Sequence, residues 1–406
     1  MHCDPINESA PAHLEALIRR AERARASDIH LQMFGKSAQV SLRLDGMMSP
    51  PQPLPEPLAE RVFGRIKFLS KLKTYQESLP QDGRIDKAEV GATSDIRVAT
   101  YPTVTGEKIV LRFFTGTETP ALEELKFPAA AVAELETFLR GNSGLLLLTG
   151  PAGSGKTTTI YACLRRLAAL GGRHIITIED PVEQIVPGLM QTEVCEARGL
   201  TFAKAARHLL RQDPQVLVIG EIRDDETANI VVRAALTGHL VISTLHAGSC
   251  SGVIERLQTM CADTYAVASS VELILNQRLM RRVCVQCGAG VQASACSGDT
   301  LKRELQRDCE TCFGTGYHGR VPVLEWLRLG ESVPPASRRV EPLGKSSDVL
   351  TAETPTRPDA GGTMREQFRT HGLSALQPRQ PIREAARELV RSGVTNAAEF
   401  ERLFSR

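Results

Sequence analysis

The sequence predicts an α/β protein with a parallel sheet flanked by helices, preceded by a small α+β domain. Apolar runs of strand length alternate with amphipathic helical stretches in the middle of the chain, which is typical of a parallel sheet with helical crossovers. Residues 1–117 instead mix short β-like runs with two amphipathic stretches. A length of 406 residues allows two or three domains of roughly 150 residues each.

The amino-acid composition limits the classes of protein to which this chain can belong. Hydrophobic residues make up 42% and charged residues 24%, as in ordinary soluble proteins. The net charge of +2 gives no electrostatic case for a nucleic-acid or lipid surface. The most apolar runs, 145–148 and 216–219, fall far short of the roughly 20 residues of a membrane span, and no secretory signal is visible. We therefore expect a cytoplasmic protein with mostly reduced cysteines.

The N-terminal domain, residues 1–117, follows from local patterns. Apolar spacing predicts helices over 13–25 and 58–69, and alternation predicts strands over 95–100 and 108–114. The Asp-Gly pairs at 45–46 and 82–83 predict turns. The proline-rich stretch 50–57 is expected to break regular structure.

The rest of the chain divides by composition. A linker is predicted at 118–127, the parallel-sheet domain at 128–330 with a cysteine-bearing insert at 281–318, a disordered segment at 331–362, and helices at 363–406. Gly393 is expected to end one C-terminal helix before a second begins. The predicted strands of the main domain are Leu145–Thr149, His174–Ile178, Val216–Ile219 and Leu240–Ser243.

Residues 150–157 read GPAGSGKT, a complete G-x-x-x-x-G-K-[ST] signature between an apolar strand and a helical stretch. Glycines let backbone N–H groups converge on phosphate oxygens at a helix N-terminus, where the helix dipole favours an anion. Lys156 would supply a positive charge to the phosphates, and Thr157 a hydroxyl to Mg²⁺. The predicted ATP-binding residues are Gly150, Pro151, Ala152, Gly153, Ser154, Gly155, Lys156, Thr157 and Thr158.

Two carboxylates follow apolar strands of this domain. Glu179 comes after the run IITI, and Glu221 after VLVIG. Ligands gather at the carboxyl ends of strands in open α/β sheets, and nucleotide hydrolysis needs acidic groups to hold Mg²⁺ and orient water. Both glutamates are therefore candidate catalytic residues.

Four cysteines form a C-x₂-C…C-x₂-C pattern: Cys284, Cys287, Cys309 and Cys312. Four thiolates at this spacing suit tetrahedral Zn²⁺ in a closed structural site. A redox pair is the alternative, although neither motif opens a thioredoxin-like βαβ unit. Cys296 lies between the two motifs, as an unpaired thiol or a substitute ligand.

The motifs together resemble the bacterial ATPases of type II secretion and type IV pilus assembly, over roughly residues 15–330. In the main domain they are GPAGSGKTTTIYA, TIEDPVE, RQDPQVLVIGEIRDDETA and AALTGHLVISTLHAG. Outside it they are ASDIH, RLDG, LPQDGRI, DIRVATYPTVTGEKIVLRFF and CETCFGTGYHGRVPVLE.

The resemblance implies a PAS-like first domain and a RecA-like ATPase core that uses ATP, Mg²⁺ and Zn²⁺. Glu179 matches a glutamate that positions water, and Glu221 matches the Walker B glutamate of the Mg²⁺ shell. His239 and His246 fall in the family's histidine box, where the second is thought to sense the γ-phosphate. Arg97 and Arg112 match arginines in the first domain of family members, which approach the phosphates when the ring of subunits closes.

The family's assembly is implied as well: a cytoplasmic, homo-oligomeric (hexameric) motor that reaches the inner membrane only through a platform or docking protein. The tetracysteine element favours pilus assembly over retraction. Gln215 departs from the family's R-x-x-P-D pattern, which carries Asp at that position. Two alternatives stay open, a nucleic-acid translocase of the RecA-like hexamer class and a nucleotide-binding scaffold that does not hydrolyse ATP.

Overall fold

A computed structural model describes residues 9–113, 120–287, 309–329, 365, 368, 372 and 376–405. The predicted disordered segment 331–362 and Cys296 lie outside these residues. The chain forms two compact units. The first comprises Met1–Glu118, Leu279–Val321 and Ala386–Arg406, and the second Thr119–Arg278 and Pro322–Ala385. No helix within the described residues is both long and apolar enough to cross a membrane.

The first unit contains an antiparallel sheet with helices on one face. Its strands are β1 (Asp28–Phe34), β2 (Ser37–Leu44), β3 (Met47–Met48), β4 (Gln52–Leu54), β5 (Gln81–Ile85), β6 (Ile96–Thr103) and β7 (Gly106–Phe113). Their order is β3-β2-β1-β7-β6-β5, and β4 also pairs with β2. The helices are α1 (Ala10–Arg23), α2 (Leu58–Leu69) and α3 (Lys87–Val90).

Strict alternation separates the two faces of this sheet. Ile29 and Leu31 of β1 join Leu111 of β7 in one buried core with Leu14 of α1 and Ile66 of α2. Successive strand residues point to opposite faces, so Asp28, His30 and the residues paired with them lie on the face away from this core. The hydrophobic effect thus fixes the register, because a slip of one residue would exchange the faces.

Two turn predictions had different outcomes. Asp45 and Gly46 both have positive φ, 48° and 84°, as a tight hairpin turn requires, and this prediction is confirmed. The prediction of a turn at Asp82-Gly83 is wrong, because both residues lie inside β5. A Cβ on Gly83 would lie 2.6 Å from the Ser70 carbonyl oxygen, so this glycine permits a close approach of two backbone segments. The proline-rich stretch also contains β4, which was not expected.

The second unit is built on the predicted parallel sheet, which is confirmed. The strands are β8 (Gly144–Thr149), β9 (Ile175–Glu179), β10 (Met190–Glu193), β11 (Val216–Ile219), β12 (Leu240–Thr244), β13 (Val271–Val283) and β14 (Tyr317–Arg328), of which β13 and β14 continue into the first unit. Their order is β10-β9-β11-β12-β8-β13-β14, with parallel pairing from β10 to β13.

Helices cover both faces of this sheet. They are α4 (Ala129–Arg140), α5 (Lys156–Leu170), α6 (Phe202–Leu209), α7 (Asp225–Leu236), α8 (Cys250–Met260) and α9 (Thr264–Ser270). Leu145 and Leu147 of β8 belong to one apolar cluster, and Leu146 and Leu148 belong to another. Burial on both faces explains why these strands are continuous apolar runs.

The C-terminal helices are α10 (Ile382–Arg391) and α11 (Ala397–Phe404), with Gly393 at φ 72° between them, as predicted. Within the first unit α11 is attached to β13 by Glu399. This buried carboxylate accepts hydrogen bonds from the Arg281 backbone N–H at 2.9 Å and from Arg402 Nε at 2.7 Å. Losing one partner would leave a charge buried and unpaired, so these contacts hold α11 against β13.

Candidate active site

The 150–155 loop connects β8 to α5 in a conformation that needs its glycines. Gly150, Gly153 and Gly155 have φ values of 135°, 72° and 91°, in the region that side chains disfavour. A Cβ on Gly150 would also lie 2.2 Å from the Gln277 carbonyl oxygen of β13. The loop ends at the N-terminus of α5. The N–H groups and the dipole at the N-terminus of a helix favour an anion.

Gln277 holds this loop from the neighbouring strand β13. Its Nε2 donates to the Ser154 carbonyl oxygen at 2.7 Å, and its Oε1 accepts the Thr159 hydroxyl at 3.0 Å. The side chain is buried, so both bonds are shielded from water. Sequence reasoning missed Gln277; its signal is that it belongs to a short polar run, Asn276 to Arg278, that follows the apolar start of β13.

Lys156 is held by the loop itself. Its Nζ donates to the carbonyl oxygens of Gly150 at 2.9 Å and Pro151 at 3.1 Å. Burial lowers the pKa of Lys156, and the negative charge of Glu221 partly offsets this effect. Both acceptors are neutral, so a phosphate oxygen would form the stronger, charge-assisted bond with Nζ.

Glu221 follows β11 and lies in a charged cluster. Its Oε1 is 3.1 Å from His246 Nε2, and its Oε2 accepts Arg223 Nε at 3.0 Å. Arg223 Nη1 is also 3.3 Å from Asp180 Oδ2. The hydrogen bond to Glu221 is the largest cause of the raised pKa of Arg223. Glu221 therefore has two cationic or titratable partners at the carboxyl end of the sheet.

Glu179 is the last residue of β9 and is buried. Three side chains donate to its carboxylate: Thr177 to Oε1 at 2.6 Å, Gln191 to Oε1 at 3.1 Å, and Tyr161 to Oε2 at 2.5 Å. Tyr161 and Gln191 were not identified from the sequence. They are far from Glu179 in the chain, and only the packing of α5 and β10 brings them to it.

The sheet order gathers four of the predicted residues at one edge. Glu179 ends β9, Glu221 follows β11, His246 follows β12, and Lys156 follows β8, and these strands are consecutive in the sheet. Parallel strands place all four carboxyl ends at the same edge. The catalytic roles of these residues remain predictions.

His239 lies elsewhere in this sheet. It precedes β12 at the amino ends of the strands, where its carbonyl oxygen accepts the N–H of Gly144 at the start of β8. Its Nδ1 is 3.0 Å from the Ala234 carbonyl oxygen of α7. Gln215 lies at this same edge, where its Oε1 accepts the His174 N–H at 2.6 Å. The departure from the family pattern at Gln215 is therefore at the opposite edge from Lys156.

Arg97 and Arg112 belong to the first unit, where they are direct partners on β6 and β7. The pairing continues across five strands to give the arginine row, which consists of Arg43, Arg112, Arg97 and Arg84 with Asp28 between the first two. The row lies on the face of the sheet away from the core. Its extent was not predicted, because strand register cannot be read from the sequence.

The four predicted cysteines converge. Their Sγ atoms all lie within 4.8 Å of one another, with 3.9 Å between Cys284 and Cys309 and 3.6 Å between Cys287 and Cys312. A tetrahedron with Zn–S bonds of roughly 2.3 Å has S···S separations of roughly 3.8 Å, so the cluster fits zinc. All four cysteines are free, whereas a disulfide needs an S–S bond of roughly 2.05 Å. The joint cluster therefore favours one metal site over two separate redox pairs.

The fold and the site geometry define an α/β protein with a glycine-rich loop at a helix N-terminus and carboxylates at the edge of a parallel sheet. Residues 7–372 match the family described as "Type II/IV secretion system protein", and the chain belongs to this family. The family prediction made from the sequence motifs is thereby confirmed.

Three similar proteins illustrate the relationship. The type IV pilus assembly ATPase PilB of Thermus thermophilus is 39% identical over 343 residues, which are 81% of this chain and 38% of that protein. The type II secretion system protein HxcR of Pseudomonas aeruginosa is 37% identical over 391 residues, 96% of this chain and 76% of that one. The structure of the ATPase DotB of Legionella pneumophila has a TM-score of 0.66 at 18% identity, covering 100% and 98% of the two chains, and supports the fold alone. None of these three matches supports the nucleic-acid translocase alternative.

Proposed function

We propose that this chain is an ATP-hydrolysing motor of a type II secretion or type IV pilus machine. The observation that carries the proposal is that Lys156, directly after the glycine loop, and Glu221 lie at the same carboxyl edge of the sheet, with Glu221 near enough for its charge to act on Lys156. A cation aimed at phosphates and a carboxylate for the metal are the two charges that nucleotide hydrolysis requires. The kinship with pilus and secretion ATPases supports the same reaction.

Each residue of the site has a proposed role. The loop from Gly150 to Gly155 cradles the phosphates with its N–H groups, and Lys156 neutralises their charge. Thr157 and Glu221 would hold Mg²⁺, which neutralises charge that develops on the phosphate oxygens. Glu179 orients the attacking water.

His246 is proposed to report the state of the nucleotide to Glu221, which it contacts at 3.1 Å. His239 contacts the Ala234 carbonyl oxygen at the other edge of the sheet, and its proposed contribution is to hold the start of β12 against α7.

Arg97 and Arg112 are proposed to act on the phosphates of a nucleotide held in a closed hexameric ring. The support is an exposed cationic row on a rigid sheet, together with the family relationship. A mixing titration tests this idea: Arg97→Ala chains should reduce turnover by more than their fraction in the population. A strictly linear response, with full activity of the pure variant, would contradict it.

Zn²⁺ at the four cysteines is proposed to be structural, because four thiolates leave no coordination position open for catalysis. The partner of the motor is proposed to be an inner-membrane platform or docking protein of the same machine. Membrane association would then come through that protein. This proposal makes the chain a cytoplasmic component of the machine.

Phosphate release by the purified chain tests the proposed activity. We expect turnover with ATP and Mg²⁺, loss of turnover with excess chelator, and no stimulation by single-stranded DNA. Absence of turnover under oligomer-forming conditions would favour the non-hydrolysing scaffold. Strong stimulation by DNA would favour the translocase.

A further inference from the structure

Tyr161 connects α5, the helix that carries Lys156, to the buried carboxylate of Glu179. Its hydroxyl accepts the backbone N–H groups of Glu183 and Gln184, each at 3.1 Å. A tyrosine hydroxyl has one proton, and both backbone groups are donors, so that proton must go to Glu179 Oε2 at 2.5 Å. The direction of this hydrogen bond is therefore fixed by the backbone.

Gln191 has a fixed orientation for a similar reason. Its Oε1 accepts the Val186 N–H at 2.7 Å, which leaves its Nε2 to donate to the Gln184 carbonyl oxygen at 2.9 Å and to Glu179 Oε1. Thr177 is the third donor to the same carboxylate. Three hydrogen bonds thus satisfy the buried carboxylate of Glu179 and fix its orientation, which offsets the cost of burying it.

One atom, the Tyr161 hydroxyl oxygen, makes hydrogen bonds that connect three parts of the site. Tyr161 Oη joins α5, the end of β9 and the segment between β9 and β10. Burial and the Glu179 carboxylate raise the pKa of Tyr161 far above its ordinary value, so the hydroxyl keeps its proton at any physiological pH. A movement of α5 would therefore be transmitted to Glu179.

We propose that Tyr161 is a positioning residue for hydrolysis, which acts through Glu179 by holding its carboxylate fixed relative to the 150–155 loop. The proposal rests on the proposed function, in which Glu179 orients the attacking water. A purely structural role would instead affect folding, and any loss of rate would not depend on the presence of the Glu179 carboxylate.

The first test is Tyr161→Phe in the full chain, measured by steady-state ATP hydrolysis over a range of ATP concentrations. The maximal rate should fall about tenfold or more, while KM for ATP stays within about twofold, since no phosphate contact is lost. Gln191→Ala removes a different donor to Glu179 and should lower the rate in the same way, again with little change in KM. Tyr265→Phe, an exposed tyrosine in the same unit, is the matched control.

A double-mutant cycle with Glu179→Gln decides between the two roles. If Tyr161 acts through Glu179, adding Tyr161→Phe to Glu179→Gln should cause no further loss of rate. Independent losses that multiply, or a rate equal to that of wild type in Tyr161→Phe, would overturn the proposal. If instead Glu179→Gln alone turns over like wild type, the proposed role of Glu179 fails, which is a distinguishable outcome.

Discussion

Arg112 Nε lies 2.7 Å from Asp28 Oδ1, and the two residues are also direct partners across β7 and β1. Asp28 is buried, whereas the Arg112 side chain is 65% exposed. Burial alone would raise the pKa of Asp28, but hydrogen bonds from Arg112 and Ser27 outweigh it and lower the pKa from its usual value. The carboxylate thus anchors Arg112 through Nε, while most of the arginine side chain stays exposed.

Asp28→Asn tests whether this anchor matters for activity. We expect turnover to fall by about tenfold, because the exposed guanidinium loses the charge that holds it in place. Asp86→Asn is the control, since Asn can replace Asp as the cap of α3 with little cost. Equal turnover in the two variants would argue that Arg112 is a simple surface charge.

Glu221→Gln should retain ATP binding and slow hydrolysis by about 100-fold or more, since the amide keeps the shape but not the charge. Bound nucleotide is measured beside phosphate release. The matched control is Glu226→Gln on α7, whose exposed ion pair with Arg207 is worth little. Loss of nucleotide binding in Glu221→Gln would contradict a role confined to hydrolysis.

The purified chain should contain about one zinc ion, held by the four cysteines. Replacing Cys287 and Cys312 together by Ser should release the metal and lower the thermal midpoint of the protein, because metal-binding free energy is folding free energy. Cys195→Ser, outside the cluster, should change neither quantity. Freshly reduced protein without metal would rule out the site.

Glu399→Gln should lower the free energy of unfolding by about 3 kcal/mol at neutral pH, because buried Arg281 loses its charged partner. Glu388→Gln, in an exposed pair with Arg391, should cost no more than about 0.5 kcal/mol. Denaturant unfolding of both variants and wild type gives the comparison.

The difference between Glu399→Gln and wild type should also depend on pH. Burial raises the pKa of Glu399, but hydrogen bonds from Arg402 and Arg281 outweigh it and lower the pKa below 4.5. A carboxylate with a lowered folded-state pKa stabilises the fold above its unfolded-state value and loses this contribution as pH falls. The difference in the free energy of unfolding between wild type and Glu399→Gln should be constant down to about pH 5 and become smaller below it. A difference that grows in acid would contradict the ion-pair explanation.

The features predicted correctly from the sequence are those encoded locally. The strand, loop and helix around residues 150–157 and the turn at Asp45-Gly46 depend on residues within a few positions of one another. The binding of ATP by the 150–157 motif stays a prediction. The strands β13 and β14 were missed, because Asn276, Gln277 and Arg278 interrupt the apolar pattern of the first and the cysteine motif obscures the start of the second.

The supporting residues of the site could not be predicted for a different reason. Tyr161 and Gln191 meet Glu179 only after α5 and β10 pack on the sheet, and Asp28 meets Arg112 only through strand register. Tyr161 resembles any core aromatic residue of an amphipathic helix. Such contacts are set by tertiary structure, which no local pattern contains.

Phosphate release by Lys156→Ala, compared with wild type and with Lys204→Ala, tests the central claim most directly. Lys204 is an exposed lysine of the same unit, so its loss controls for the removal of one positive charge. We predict that Lys156→Ala keeps its fold and loses turnover by about 1000-fold or more, while Lys204→Ala matches wild type. A folded Lys156→Ala protein that hydrolyses ATP at the wild-type rate would contradict the assignment of the 150–157 loop as the ATP site.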